Sequence, residues 1–245
     1  MRSFDYIESG KTLLTPHTTS LLAAIHEAKG RQSIQTTIRP DILGTLVAVA
    51  RIQSTDASNR IEGISTSDSR LNDLVSEKVT PRNRNEEEIA GYRDALSVIH
   101  ESHDYIPITP NVILQLHRDL FRHTPLTFAG HFKDSDNVII ERDAHGTSTV
   151  RFAPPSALVT PELIERACSA YTQAIRDGHT DPLLAIAMFI LDFICIHPFN
   201  DGNGRMSRLL TLLMLCRNGY MVGKYISIEH LIEQSKSCLL YTSPS

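Results

Sequence analysis

The chain lacks an excess of charge of either sign: 24 Lys and Arg stand against 28 Asp and Glu, for a net charge of −4 at pH 7. Such a balance gives no general attraction to nucleic acid or to an anionic membrane, so any basic site must be local. Metal-ligand cysteine spacing is missing too. Cys168, Cys195, Cys216 and Cys238 show neither CxxC nor Cys/His patterns, which argues against the common zinc and redox motifs. The first three fall in apolar helical stretches and read as buried free thiols, favouring a reducing compartment. The N-terminal segment MRSFDYIESGKTLLTP has no apolar h-region, so no signal peptide is expected. The longest apolar run, residues 183–196, is interrupted by Asp192 and is too short to span a bilayer. Internal repeats, charge blocks and low-complexity linkers are also lacking. These absences predict a cytoplasmic protein with no membrane partner, and nucleic acid is not an expected partner of the residues present.

What is present is an ordinary globular composition, 41% hydrophobic and 21% charged over 245 residues, enough for one large domain or a domain with an appended subdomain. Helix starts are explicit. Thr15-Pro16, Thr109-Pro110, Thr160-Pro161 and Asp181-Pro182 each pair an N-cap oxygen with a proline at the first helical position. Gly30, Gly178 and Gly219 stand where helices would end. These signals predict helices near 16–29, 40–60, 67–77, 85–102, 110–122, 161–176, 182–196, 204–218 and 228–237. The helix at 182–196 is apolar on nearly every side and is expected to be buried all round. Glu86-Glu87-Glu88 reads as a solvated helix start, where carboxylates suit the positive end of the dipole. One stretch breaks the helical pattern: residues 137–142 and 147–152 flank Asp143-Ala144-His145-Gly146 and read as a β-hairpin, ended by Pro154-Pro155.

The segment richest in chemistry is His197-Pro-Phe-Asn-Asp-Gly-Asn-Gly-Arg-Met-Ser-Arg208. Asp201-Gly202-Asn203-Gly204 is turn chemistry set directly at a helix start. A loop of this kind points backbone N–H groups toward one place, where the helix dipole adds positive charge: an anion site. Arg205 and Arg208 are three apart, hence neighbours on the first helical turn, and two guanidiniums beside amides suit a polyphosphate. Asp201 makes sense there if it holds Mg2+, which takes one or two protein carboxylates plus phosphate oxygens. His197 has a pKa suited to accepting a proton near neutral pH. Each residue alone has a plainer reading: a structural histidine before proline, turn glycines, surface arginines. Together they form one ordered constellation.

These twelve residues resemble the signature of the Fic family, H-x-F-x-[D/E]-G-N-[G/K]-R-x-x-R, at every defined position. The resemblance implies an all-α fold, a Fic-type helical bundle with a small β-hairpin flap, and transfer of AMP from ATP and Mg2+ to a Ser, Thr or Tyr hydroxyl of a target protein, which could be the enzyme itself. By the same resemblance His197 is the catalytic base and Asp201 the Mg2+ ligand. Gly202, Asn203 (backbone and side chain) and Gly204 bind phosphates, Arg205 steadies the β-phosphate and Arg208 the γ-phosphate, and Phe199 anchors the loop in the core. His131, Lys133, Val138 and Ile139 resemble the family's flap, which aligns the target segment by main-chain pairing; His131 and Lys133 read equally well as surface residues.

Upstream, Ser58-Asn-Arg-Ile-Glu62-Gly63 resembles the family's inhibitory motif, [S/T]-x-x-x-E-[G/N]. In that light Glu62 pairs with Arg208 and keeps the γ-phosphate from seating. The implied organisation is an N-terminal helical region at 1–80, a catalytic core at 81–237 and a tail at 238–245. That tail back-translates to a sequence resembling a sequencing-library adapter, so the expectation is a longer native chain with a non-native end here. Two rivals stand: another activity on the same scaffold (phosphotransfer or removal of AMP), and an ATP-sensing regulator acting through a DNA-binding domain outside these residues. A homo-oligomer is open.

Overall fold

The computed structural model describes residues 4–38, 40–142 and 148–242. The helices, in chain order, are α1 (Tyr6–Leu13), α2 (Pro16–Ile38), α3 (Pro40–Ile61), α4 (Asp68–Val75), α5 (Arg84–Ser102), α6 (Pro110–Leu120), α7 (Thr160–Asp177), α8 (Pro182–Ile196), α9 (Asn203–Arg217), α10 (Val222–Tyr225) and α11 (Ile228–Thr242). Between α6 and α7 lies a hairpin of β1 (Ile139–Arg142) and β2 (Ser148–Phe152), antiparallel, with Ile140 opposite Val150. The fold is an all-α bundle with one small hairpin. The expected hairpin turn at 143–146, the first position of the expected second strand (147) and the last three positions of the tail lie outside the described residues. Among the described residues no helix is long and apolar enough to cross a membrane.

The local causes are those the residue types suggest. Asp181 Oδ1 accepts from the Leu183 amide at 2.9 Å with Pro182 at the first position of α8. Asn83 Oδ1 accepts from the Glu86 amide at 3.0 Å to start α5. Gly178 closes α7 in the left-handed conformation, with φ 65°. The core gathers around α8, which packs against α7 and α9 and carries buried Phe189, Phe193 and Ile196. Burying such side chains stabilises by about 1.5–3 kcal/mol each.

Three expectations are corrected, and two helices were not expected at all. Gly30 does not end α2, which continues to Ile38, because one glycine costs only about 1 kcal/mol in a helix of 23 residues. α8 is not buried all round: Leu191 and Ile194 share an exposed stripe. Thr160 is not a cap but the first residue of α7, its hydroxyl donating to the Ser156 carbonyl at 2.9 Å. Finally, α1 and α10 had no local signal. α1 is fixed by tertiary contact: the Tyr6 hydroxyl donates to Asp192 Oδ2 at 2.8 Å, and Gly10 lies so close to Thr180 that a Cβ would come within 2.8 Å of Cγ2.

Candidate active site

The loop between α8 and α9 is held by its carbonyls. Lys133 donates its backbone N–H to the Pro198 carbonyl at 2.8 Å and its ammonium to the Ile196 carbonyl at 3.2 Å. Asn203 Nδ2 donates to the Phe199 carbonyl at 2.8 Å, while its Oδ1 accepts from the Phe199 amide at 3.0 Å. His117 lies 3.1 Å from the Asp201 carbonyl, and the Met206 amide donates to the Gly202 carbonyl at 2.9 Å. With so many acceptors tied back to the scaffold, the loop can turn amides outward at the start of α9, where the first helical N–H groups have no intrahelical partner. Gly202 makes the turn possible: it has φ 81°, and a Cβ there would come within 2.8 Å of the Phe121 ring.

His197 is the C-cap of α8 in the left-handed region, φ 50°, with its amide donating to the Phe193 carbonyl at 3.0 Å. That conformation is uncommon for a residue with a Cβ and swings the imidazole out of the helix. Burial pushes its pKa below the ordinary histidine value; the Ile194 carbonyl pulls it up, Lys133 pushes it down and Glu62 raises it. Its Nδ1 edge is buried and meets no partner at hydrogen-bond geometry. The half-exposed Asp201 carboxylate accepts from the Gly202 amide at 2.6 Å and lies 3.7 Å from Arg84.

The two arginines diverge. Arg205 is buried, 2.6 Å from Glu88, 3.8 Å from the Asp201 carboxylate and 5.0 Å above the Phe121 ring, so its guanidinium is held between the core and the loop. Glu88, only 3% exposed, also accepts from Arg84 Nε at 2.8 Å. Glu86 is equally buried and pairs with Arg70 at 2.5 Å. The acidic start of α5 is therefore an internal ion-pair set and not a solvated face. Arg208 turns the other way: Nε donates to Ser58 Oγ at 2.7 Å, and Nη2 donates to the Ser58 carbonyl at 2.9 Å and to Glu62 Oε1 at 2.7 Å.

Glu62 reaches that place because α3 ends in a specific way. Gly63, φ 78°, donates to the Arg60 carbonyl at 2.9 Å, and Ile64 donates to the Asn59 carbonyl at 3.0 Å. This paired closure puts Gly63 just past the helix and Glu62 at its cap. A carboxylate is disfavoured at the negative end of α3 and favoured at the positive end of α9. It sits so near Gly204 that a Cβ there would collide with Glu62 Oε1.

Residues 107–215 match the model of the Fic/DOC family. They form a Fic domain. The chain is 37% identical over 100 residues to a Fido domain-containing protein of Dictyostelium discoideum, covering 39% of this chain and 65% of that one. It is 28% identical over 145 residues to protein adenylyltransferase fic-1 of Caenorhabditis elegans, covering 56% of this chain and 25% of that one. The chain thus spans just under two thirds of the first relative and a quarter of the second. In structure it resembles a Fic domain containing signaling protein from Bacteroides thetaiotaomicron, with a TM-score of 0.74, 23% identity, and coverage of 89% of this chain and 80% of that one. At that identity the likeness shows the fold.

Within the Fic domain, the flap candidates divide. Lys133 is buried, donating also to Asn137 Oδ1 at 3.0 Å, and burial pushes its pKa down; it is a brace of the loop and not a surface residue. His131 and Val138 are exposed, and the Ile139 side chain lies outside the described residues. The Asn203 side chain is engaged by the Phe199 amide and carbonyl, which locks the loop from within. Phe199 is fully buried. Two residues escaped the sequence reading. His117 had a signal, since it occupies the apolar stripe Ile113, Leu116, His117, Leu120 of α6. Glu88 had none beyond a place in an acidic run.

Proposed function

We propose that this chain is a protein adenylyltransferase held in check by its own Glu62. The observation that carries this is the Glu62 carboxylate at the N-terminus of α9, in ion contact with Arg208 and pressed against Gly204. An anionic group is already seated where the loop is built to take a polyphosphate.

The mechanism follows from the residues. The neutral imidazole of His197 takes the proton of a Ser, Thr or Tyr hydroxyl on the target protein; the hydroxyl oxygen bonds to the α-phosphorus, and the bond from that phosphorus to the β-phosphate bridging oxygen breaks, releasing pyrophosphate. The lowered pKa keeps His197 in its basic form at neutral pH. Gly202 and Gly204 let the backbone approach the phosphates, and Arg208, once free of Glu62, meets the γ-phosphate. The half-exposed Asp201 carboxylate would hold Mg2+, which would supply neutralisation of charge on the leaving group. Arg205 acts from beneath, fixing α9 against α5 through Glu88. The exposed residues 149–152 of β2, together with Val138, are the surface offered to the target chain, whose extended segment could pair with a strand edge.

The test is label transfer. Purified protein, Glu62→Gly and His197→Ala are each incubated with Mg2+, a cell lysate and ATP labelled at the α- or the γ-phosphate. Protein label from the α-phosphate only, raised in Glu62→Gly and lost by about 10²–10⁴-fold in His197→Ala, is the expected result. Label from the γ-phosphate would make it a kinase-like member. No α-label from Glu62→Gly would defeat the proposal.

A further inference from the structure

We propose that His117 is a positioning residue for nucleotide-bound Mg2+, holding Asp201 in place through the Asp201 backbone. The inference rests on the proposed metal role of Asp201. His117 is fully buried on the inner stripe of α6, and its ring lies parallel to Phe199 at 3.7 Å with an interplanar angle of 1°. Phe121 closes a second side, edge-on at 5.1 Å.

The polar contacts leave no freedom in the tautomer. The Gly130 amide can only donate, and it points at His117 Nδ1 at 2.9 Å. Nδ1 therefore carries no proton. The proton sits on Nε2, which donates to the Asp201 carbonyl at 3.1 Å. One ring thus ties three things together: the loop aromatic Phe199, the carbonyl of the residue proposed to hold the metal, and the turn at Gly130 that leads to Lys133 and the hairpin. Pinning the Asp201 carbonyl restricts the peptide planes on both sides of Asp201, so the carboxylate, tethered also by the Gly202 amide at 2.6 Å, keeps one direction. A simple core residue would need volume and apolarity. This one has its donor and acceptor each matched to a backbone group of complementary type.

The distinguishing experiment compares His117→Phe with His117→Gln, both in the Glu62→Gly background. Phenylalanine keeps the stack and the volume and removes both hydrogen bonds; glutamine can donate to the carbonyl and accept from the amide. Calorimetry gives the ATP affinity in EDTA and in Mg2+, and the ratio of the two is the gain due to the metal. The expected result is a gain reduced roughly 10- to 100-fold in His117→Phe, the usual effect of losing an outer-sphere partner. Affinity in EDTA should be little changed, and the gain largely restored in His117→Gln. A folded His117→Phe with the full gain, or a His117→Gln as impaired as His117→Phe, overturns the inference. If phenylalanine prevents folding, His117→Met fills the site flexibly and is read the same way. AMP transfer on the same samples reports separately: a Glu62→Gly parent that gains affinity from Mg2+ yet transfers no AMP defeats the proposed function and leaves this inference standing. A parent with no gain defeats the metal role of Asp201 and this inference with it.

Discussion

Arg205 and Arg208 occupy one turn of α9 with opposite surroundings, and the difference should appear in how their loss is felt. Arg205 is buried with Glu88 as its ion partner at 2.6 Å. Removing it leaves the buried Glu88 carboxylate with Arg84 as its remaining partner at 2.8 Å, so Arg205→Ala should cost about 2–3 kcal/mol of stability. Arg208 has 11% side-chain exposure, and its partners Ser58 and Glu62 include one that reaches solvent. Arg208→Ala should cost less, roughly 1–2 kcal/mol, while removing the cation proposed for the γ-phosphate. Denaturant unfolding and ATP binding measured on both variants separate the cases: a large stability loss with Arg205→Ala, and weakened ATP binding by a folded protein with Arg208→Ala. Equal stability losses would contradict the assignment. Spacing of three on a helix turn was legible in the sequence; which arginine faces in was not, because that depends on Glu88 arriving from α5, more than a hundred residues earlier. Lys133 shows the same limit, since a lone lysine before a hairpin gives no sign that two loop carbonyls await it.

At the scale of elements, the question is what seats α3 so that Glu62 reaches α9. Its inner face is small and polar, with Ser54, Thr55, Ser58 and Asn59 all buried, and the Ser54, Thr55 and Asn59 side-chain oxygens find no hydrogen-bond partner. Such a seat gains little from apolar burial. α11 holds it from outside, where Arg60 bridges Asp56 at 2.8 Å and Glu233 of α11 at 3.1 Å. Burial raises the Asp56 pKa, Arg60 lowers it and Glu233 raises it, so without Arg60 two carboxylates would face each other across the helix pair. Arg60→Ala should therefore loosen α3 and raise AMP transfer. An exposed bridge is worth no more than about 1 kcal/mol, which limits the increase to roughly 5-fold. It should add nothing in Glu62→Gly, and Arg60→Ala with Glu233→Gln should show a smaller rise than Arg60→Ala alone. An unchanged wild-type rate in Arg60→Ala would sink this account of the seat. Most elements were legible because proline after a capping oxygen marks a helix start locally, as at Thr109-Pro110 and Asp181-Pro182. α1 was not, since Gly10 and Tyr6 make sense only against Thr180 and Asp192 of a distant segment.

The whole molecule carries buried titratable groups of two kinds, which should give its stability two acid limbs. His100 is pushed down to about 4, chiefly by burial, with Lys224, Arg51 and His103 adding positive charge. His117 is also pushed down to about 4 by burial, opposed by the Asp201 carbonyl and assisted by Arg205 and His131. In the unfolded chain each would protonate near its ordinary value of about 6.5. Above that value both states are neutral and the two histidines make no difference. As pH falls from 6.5 toward 4 the unfolded chain takes up protons that the folded one refuses, and stability is lost. Glu86 behaves as a paired carboxylate: Arg70 foremost, with the Arg82 amide and Thr66, holds it at about 2 against the effect of burial. Its contribution is intact above about 4.5 and disappears as pH falls toward 2. The first limb should have a slope of about 1.4 kcal/mol per pH unit for each histidine. Replacing His100 by glutamine removes one contributor, so urea unfolding between pH 6.5 and 4.5 should show a slope smaller by up to about 1.4 kcal/mol per pH unit, with His117 and the likewise lowered His197 keeping the rest and the limb below about pH 4 unchanged. An identical slope in His100→Gln would mean that His100 accepts its proton in the folded state and that the buried end of α5 is open to water.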